Sequence, residues 1–324
     1  MRFSIVTPVY NAGEYLEEML ASVESQSFTD WELRIVDDGS SDTSRAIIEN
    51  AAAADPRVKP LFMPRNSGGC FLPRREAMEA AEGDYVVNID ADDTVEPDYL
   101  MKLNERIEAT GADLVYADMH IDSRKVMEHT HYSDFKPHAG KALFKGTLDG
   151  WEVSGLAATK RSLALRSLAL FDAEFGEGKA VCGGYHDENL TRLDLFLAKK
   201  VAFADAAYHY RKNPESITQN VSPRRFEQLE ADYRLAQFTG KHYGKDSEEY
   251  RLAHRQLFHH TIESIRFLNR HRRLKPGFPA IKRAFGRIDF KAIKGDVSPR
   301  YWALMQTGYP LTKFILGIYA GKEG

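Results

Sequence analysis

Residues 84–93 read DYVVNIDADD, and this stretch decides the fold. Tyr85 to Ile89 form a short apolar run of strand length, which stops abruptly on Asp90, Ala91, Asp92 and Asp93. Working back toward the N-terminus, the same arrangement recurs three times. A buried strand over Phe3 to Thr7 leads into Pro8, Val9, Tyr10 and Asn11. A second, over Trp31 to Val36, leads into Asp37-Asp38-Gly39-Ser40-Ser41-Asp42, a turn followed by an N-cap. A third, over Val58 to Met63, is followed by Asn66-Ser67-Gly68-Gly69. Between the strands lie helix-period segments: Glu14 to Glu24, with Tyr15, Leu16, Met19, Leu20 and Val23 on one face, then Thr43 to Ala54 and Leu72 to Ala81. A helix over Pro97 to Ala109 and a strand over Asp113 to Tyr116 continue the series. This alternation predicts an α/β protein with a mainly parallel open sheet wound by right-handed crossovers. Such sheets bind ligands outside the carboxyl ends of their strands, where the polar and acidic clusters stand.

The rest of the chain is consistent with that class. Its 324 residues are 43% hydrophobic and 28% charged, enough apolar material for a sizeable core and too much for a disordered chain. Two cysteines, Cys70 and Cys182, lie far apart with no CxxC pairing, which excludes a disulfide framework and a structural zinc site. The opening MRFSIVTPVYN is too soon interrupted for a signal peptide, and no apolar window reaches the length of a spanning helix, so the reading is a cytoplasmic protein. Charge is divided unevenly. Residues 251–324 hold 15 Lys and Arg against 4 Asp and Glu, a net +11, whereas residues 1–250 carry −14. An acidic body and a basic tail point to separate tasks.

Beyond residue 120 the pattern is harder to follow. Turn-rich sequence contains a strand signal near Trp151 to Ser154 and a helix near Lys160 to Leu168. A helix over Asn189 to Lys200 precedes two short strands, Val201 to Phe203 and Tyr208 to Arg211. Residues 224–285 look helical almost throughout, with Pro276 and Pro279 as breaks. The expected division is residues 1–115, residues 116–220 and a helical basic extension over 221–324.

The first loop lacks GxGxxG, and Gly150 to Gly155 has phosphate-loop spacing without the following Lys and Ser/Thr, so nicotinamide chemistry and P-loop phosphoryl transfer are excluded. Asp90 and Asp92 form a DxD at a strand end. Two carboxylates held together repel, and the pattern makes sense where a hard divalent cation joins them to a phosphate-bearing substrate.

Four motifs taken together, VTPVYN (6–11), VDDGSSD (36–42), NSGG with Arg74 and Arg75 following (66–75) and DYVVNIDADD (84–93), resemble the inverting glycosyltransferase family 2 and its A-type nucleotide-sugar fold. The resemblance implies that Pro8, Val9 and Tyr10 line a base pocket and that Asp37 or Asp38 accepts the N3 hydrogen of uracil. It implies that Asn66 lies at the donor loop and that Arg74 or Arg75 approaches the diphosphate. It also implies that Asp90 and Ala91 meet the sugar or ribose and that Asp92 holds manganese or magnesium. Family members usually take the catalytic base from a Glu-Asp pair at a helix start. Here the sequence is His186-Asp187-Glu188-Asn189, which makes Asp187 the favoured base and Glu188 its rival. The implied partners are a UDP-sugar donor and a glycan or lipid-linked acceptor, in surface polysaccharide synthesis.

Other conspicuous residues carry less. His129 with His131, and His259 with His260, lack companion carboxylates, and Cys70 reads as packing. Trp151 and Tyr185 read equally as core aromatics or as residues that stack on an acceptor sugar. The basic tail, with Phe267, Phe278, Phe285, Phe290, Tyr301 and Trp302 and an apolar end at Tyr309 to Tyr319, suits an anionic membrane surface, which would place the protein peripherally on the inner face. Packing on the catalytic half and an oligomer interface are the competing readings of the tail. No nucleic-acid docking motif is present. Nucleotidyl transfer and a catalytically silent nucleotide-sugar-binding scaffold are the alternative functions.

Overall fold

A computed structural model of the chain describes residues 3–121, 124–127, 138–149, 157–176, 186–212, 222–271, 274 and 277–305. The strand expected near Trp151, the residues His129, His131, Cys182 and Tyr185, and the segment Tyr309 to Tyr319 lie outside them. The chain divides into two compact units, residues 1–147 with 152–214, and residues 148–151 with 215–324.

The first unit opens with β1 (Phe3–Val9), α1 (Leu16–Glu24), β2 (Trp31–Asp37), α2 (Ser44–Ala54), β3 (Val58–Phe62), α3 (Phe71–Ala80) and β4 (Tyr85–Asn88). Its remaining elements are β5 (Thr94–Val95), α4 (Tyr99–Thr110), β6 (Leu114–Ile121), β7 (Arg124–Met127), α5 (Gly140–Leu148), β8 (Ala157–Lys160), α6 (Arg161–Phe175), α7 (His186–Leu197) and β9 (Val201–Tyr210). Strands pair in the order β3-β2-β1-β4-β8-β6-β9-β5, with β7 added to β6. From β3 to β4 every pairing is parallel, as the alternation predicts. Beyond β4 the sheet becomes mixed. β8 runs antiparallel between β4 and β6, and β6 is parallel to β9.

The two short strands expected after residue 200 are one strand. Between Tyr116↔Phe203 and Asp118↔Ala207 the register shifts, and exposed Asp205 falls in the irregularity. A bulge of this kind interrupts the apolar pattern without ending the strand. Helices cover the sheet with the residues their periodicity marks. Leu16, Met19, Leu20 and Val23 of α1 and Tyr99, Leu100, Leu103 and Ile107 of α4 join Ile5, Leu33 and Val87 in a single core. Each such side chain contributes about 2 kcal/mol of burial. Asp42 begins α2 by accepting the Ser44 N–H (3.0 Å) and, with its other oxygen, the Gly13 N–H (2.9 Å), which ties the first two loops together.

In the second unit a 3-10 turn (Pro223–Glu227) precedes α8 (Gln228–His242), α9 (Glu248–Arg270), α10 (Gly277–Arg287) and α11 (Pro299–Met305). Ser247 caps α9 by accepting the Tyr250 N–H. Pro279 does not break a helix. It lies in the first turn of α10, where an amide N–H would have no intrahelical partner. Leu257, Ile265, Ile281 and Ile293 centre this core, and Phe267, Phe290, Tyr301 and Trp302 pack against it. Several basic side chains are paired within the unit: Arg251 with Asp296, Arg255 with Asp149 and Arg287 with Glu230. Among the described residues no helix is long and apolar enough to cross a membrane.

Candidate functional site

The carboxyl ends of β1, β2 and β3 are bound into one rim. Asp38 N–H donates to the Val9 carbonyl (2.7 Å), and Met63 N–H donates to the Asp37 carbonyl (2.8 Å). Both aspartates are 2% exposed. Asp38 accepts the Ser67 N–H (2.9 Å), the Ser67 hydroxyl (2.9 Å) and the Asn66 side-chain amide (3.1 Å), so Asn66 and Ser67 hold it in place. Burial still raises its pKa above the ordinary value, the Ser67 bonds oppose that rise, and neighbouring Asp37 adds to it. The Asp37 carboxylate accepts the Ser40 N–H (3.2 Å). Gly39 takes φ +72°, and a Cβ there would come within 2.7 Å of the Arg65 backbone, so the turn between the two loops needs glycine. Pro8 and Val9 are buried as part of β1, and Tyr10, 51% exposed, is the most open member of that trio.

The acidic turn after β4 is fixed from β9. Tyr208, fully buried, donates its hydroxyl to Asp93 Oδ2 (2.6 Å) and accepts the Asp90 N–H (3.0 Å). Arg211 donates its N–H to Asp93 Oδ1 (2.8 Å) and its Nε–H to the Asp92 carbonyl (2.9 Å). The Arg211 guanidinium pairs with Glu18 and stands over the Tyr15 ring. Asp93 is 1% exposed, and burial beside Asp90 pushes its carboxyl up to about 8. Thus Asp93 is a structural member of the turn, while Asp90, 41% exposed along its side chain, faces outward.

Arg74 connects this turn to α7. Its Nη2 donates to Asp90 Oδ1 (2.7 Å), and Nη1 lies 3.8 Å from Asp187 Oδ2. With its side chain only 11% exposed, the guanidinium is a partly desolvated positive charge between two carboxylates. Arg75 is drawn the other way. Its fork closes on Asp172 of α6 (2.7 and 2.8 Å) and reaches Glu79 (2.8 Å), so of the two arginines Arg74 is the one brought to Asp90. At the start of α7, Asp187 is 46% exposed, while Glu188 lies 3.3 Å from Arg192 one turn further on. A cavity of about 100 Å³ gathers Arg74, Asp90, Asp187, Glu188 and, deeper in its wall, Asp194.

Among the described residues no three His, Cys, Asp or Glu side chains converge as a metal-ligand set. The turn offers Asp90 and Asp92. Two carboxylates suit an ion that completes its shell with substrate phosphate and water. The site brings together the sequence-derived residues Arg74, Arg75, Asp90, Asp187 and Glu188 in one cavity and Asp37, Asp38 and Asn66 in one rim. The sequence reading missed Tyr208 and Asp93 as the clamp on the acidic turn, Asp172 as the partner that holds the Arg75 fork at the cavity wall, and Asp194. For Asp194 a signal exists: it occupies a position among Leu190, Leu193 and Leu197 on α7 where helical spacing expects an apolar residue.

Residues 4–166 match the profile of Glycosyl transferase family 2. The chain belongs to this family. EpsH of Bacillus subtilis is 32% identical over 232 residues, a match spanning 69% of this chain and 64% of EpsH. The chain therefore spans less than two thirds of that relative. The poly(ribitol-phosphate) beta-N-acetylglucosaminyltransferase TarS of Staphylococcus aureus is 26% identical over 266 residues, covering 75% of this chain and 44% of TarS. The crystal structure of TarS residues 1–349 in complex with UDP-GlcNAc superposes with a TM-score of 0.67 at 20% identity, covering 99% of this chain and 89% of that one. The A-type α/β fold expected from the four family 2 motifs is observed, as is the helical C-terminal region expected from the pattern of residues 224–285.

Proposed function

We propose that this family 2 protein is a metal-dependent inverting glycosyltransferase that moves a sugar from a UDP-sugar to a glycan or lipid-linked acceptor in surface polysaccharide synthesis. The observation that carries the reading is Arg74, set between Asp90 at a strand end and Asp187 at a helix start, in one cavity. A cation placed there meets the charge of a departing diphosphate beside a carboxylate able to take a proton. In this reading Tyr10, Asp37 and Asp38 receive the uracil, Arg74 the diphosphate, and Asp90 and Ala91 the ribose or sugar. Manganese or magnesium held at Asp92 would supply additional positive charge to the diphosphate oxygens.

Asp187 is the base. Its carboxylate takes the proton from the acceptor hydroxyl as that oxygen attacks the anomeric carbon. The carbon–oxygen bond to the diphosphate breaks on the opposite face, and UDP leaves with the electron pair. Glu188, whose carboxylate lies 3.3 Å from Arg192, is its rival. The TarS complex with UDP-GlcNAc supports a nucleotide-sugar donor by analogy of fold. The protein is read as cytoplasmic, with the basic second unit directed to an anionic inner membrane face where a lipid-linked acceptor would lie. The outer face of α10, with Phe278, Lys282 and Arg283 exposed, is the feature that favours this placement.

The test is a panel of UDP- and GDP-sugars with manganese, magnesium or chelator, scored for nucleotide release with and without candidate acceptors. UDP release that requires a divalent ion is expected. Pyrophosphate release would indicate nucleotidyl transfer, and binding without turnover would indicate a scaffold.

A further inference from the structure

Asp194 follows Asp187 by seven residues on α7, about 10 Å along the helix axis, and lines the same cavity. The residue is 8% exposed, and burial pushes its carboxyl up to about 7. The Ser167 hydroxyl of α6, which tempers that rise, and the buried Tyr116 of β6 both face the carboxyl, yet neither Ser167 Oγ nor Asp194 Oδ1 completes a hydrogen bond. Val86 of β4, Thr159 of β8 and Leu190 of α7 belong to the wall of that cavity as well. A buried carboxylate with unused acceptor capacity is costly and calls for a donor, which in a cavity wall a bound ligand can supply.

The position defines what that ligand offers. Arg74, Asp90 and Asp187, in the same cavity, belong to the diphosphate and the reacting centre. Asp194 lies farther along α7, two turns beyond Asp187, in the wall of the same cavity. We propose that Asp194 is a specificity-determining residue that accepts a hydrogen bond from a hydroxyl or amide N–H substituent of the transferred sugar. This rests on the donor reading above. A site built around a buried acceptor rejects a ligand that lacks the matching donor, because the acceptor is then left unpaired.

The test measures binding of UDP, UDP-glucose, UDP-galactose, UDP-GlcNAc and UDP-GalNAc to the full chain by calorimetry, for wild type, Asp194→Asn and Asp194→Ala. UDP affinity is expected to stay within about twofold in all three proteins. The UDP-sugar bound best by wild type should lose at least tenfold in Asp194→Ala. Among mono-deoxyfluoro analogues of that donor, one should cost wild type tenfold and cost Asp194→Ala nothing further, which identifies the substituent. Should the alanine variant fail to fold, the isosteric Asp194→Asn carries the test through an altered ranking of the donors. If the ratio of UDP-sugar to UDP affinity is the same in wild type and variants, Asp194 is satisfied by Ser167 and the inference is wrong. If wild type binds neither UDP nor any UDP-sugar, the donor reading itself falls, and the inference with it.

Discussion

Replacing Asp194 by Asn should change how stability depends on pH, independently of any ligand. The carboxyl has an ordinary pKa of 3.8 and is pushed up to about 7 by burial in the folded protein. Folding therefore favours the protonated form, and the unfolded chain releases its proton first. Stability is unaffected by this group below pH 3.8, falls as pH rises from there to about 7, and loses nothing further above. The slope is about 1.4 kcal/mol per pH unit, which makes about 4 kcal/mol over the whole window. An asparagine keeps the shape and removes the titration. Urea denaturation at pH 5 and pH 8 should show wild type losing about 3 kcal/mol more than Asp194→Asn across that interval. Other groups titrate in the same range, but they are common to both proteins and cancel in the difference. Parallel pH dependences would refute the reasoning, since they would mean that the Asp194 carboxylate is paired or hydrated.

Four further outcomes are expected. Asp92→Asn should lower transfer by orders of magnitude with the fold intact, and chelator should do the same to wild type; full activity in chelator would remove the metal assignment. Asp187→Asn should abolish transfer while sparing UDP-sugar binding, with Glu188→Gln milder, as steady-state rates and calorimetry would show; the reverse ranking would move the base to Glu188. Arg75→Gln should destabilise the first unit by roughly 1–3 kcal/mol in urea denaturation, because it leaves Asp172 without its fork, and should leave UDP affinity unchanged, whereas Arg74→Gln should weaken UDP binding. The intact protein should bind vesicles containing anionic lipid in a salt-sensitive way, weakened by Lys282→Glu with Arg283→Glu; indifference to such vesicles at low salt would make the basic unit structural.

Much of the fold was legible because its signals are local. Apolar runs such as Tyr85 to Ile89 and Trp31 to Val36 form strands in the parallel half, and the acidic or polar residues that follow them emerge at the ligand-binding edge. Helix faces such as Leu16, Met19, Leu20 and Val23 are buried as their spacing requires. Resemblance across four motifs then supplied the family. The second half was less legible because β8 pairs antiparallel between strands that precede it in the chain, a choice no short window encodes.

Sequence by itself thus determined the class of fold, the edge of the sheet that matters and the residue types available there. Tertiary structure decided which of them act together. Arg74 and Arg75 are adjacent and chemically identical, but neighbouring helix positions point about 100° apart. One direction meets Asp90 and the other meets Asp172, 97 residues further along the chain. Likewise the hydroxyl that secures the acidic turn comes from Tyr208, 115 residues beyond Asp93. Asp194 is marked in the sequence only as an acidic residue at an apolar helix position, and it is the fold that removes its water and leaves Oδ1 without a partner. Local sequence sets side-chain chemistry, whereas desolvation and pairing depend on what the rest of the chain brings alongside.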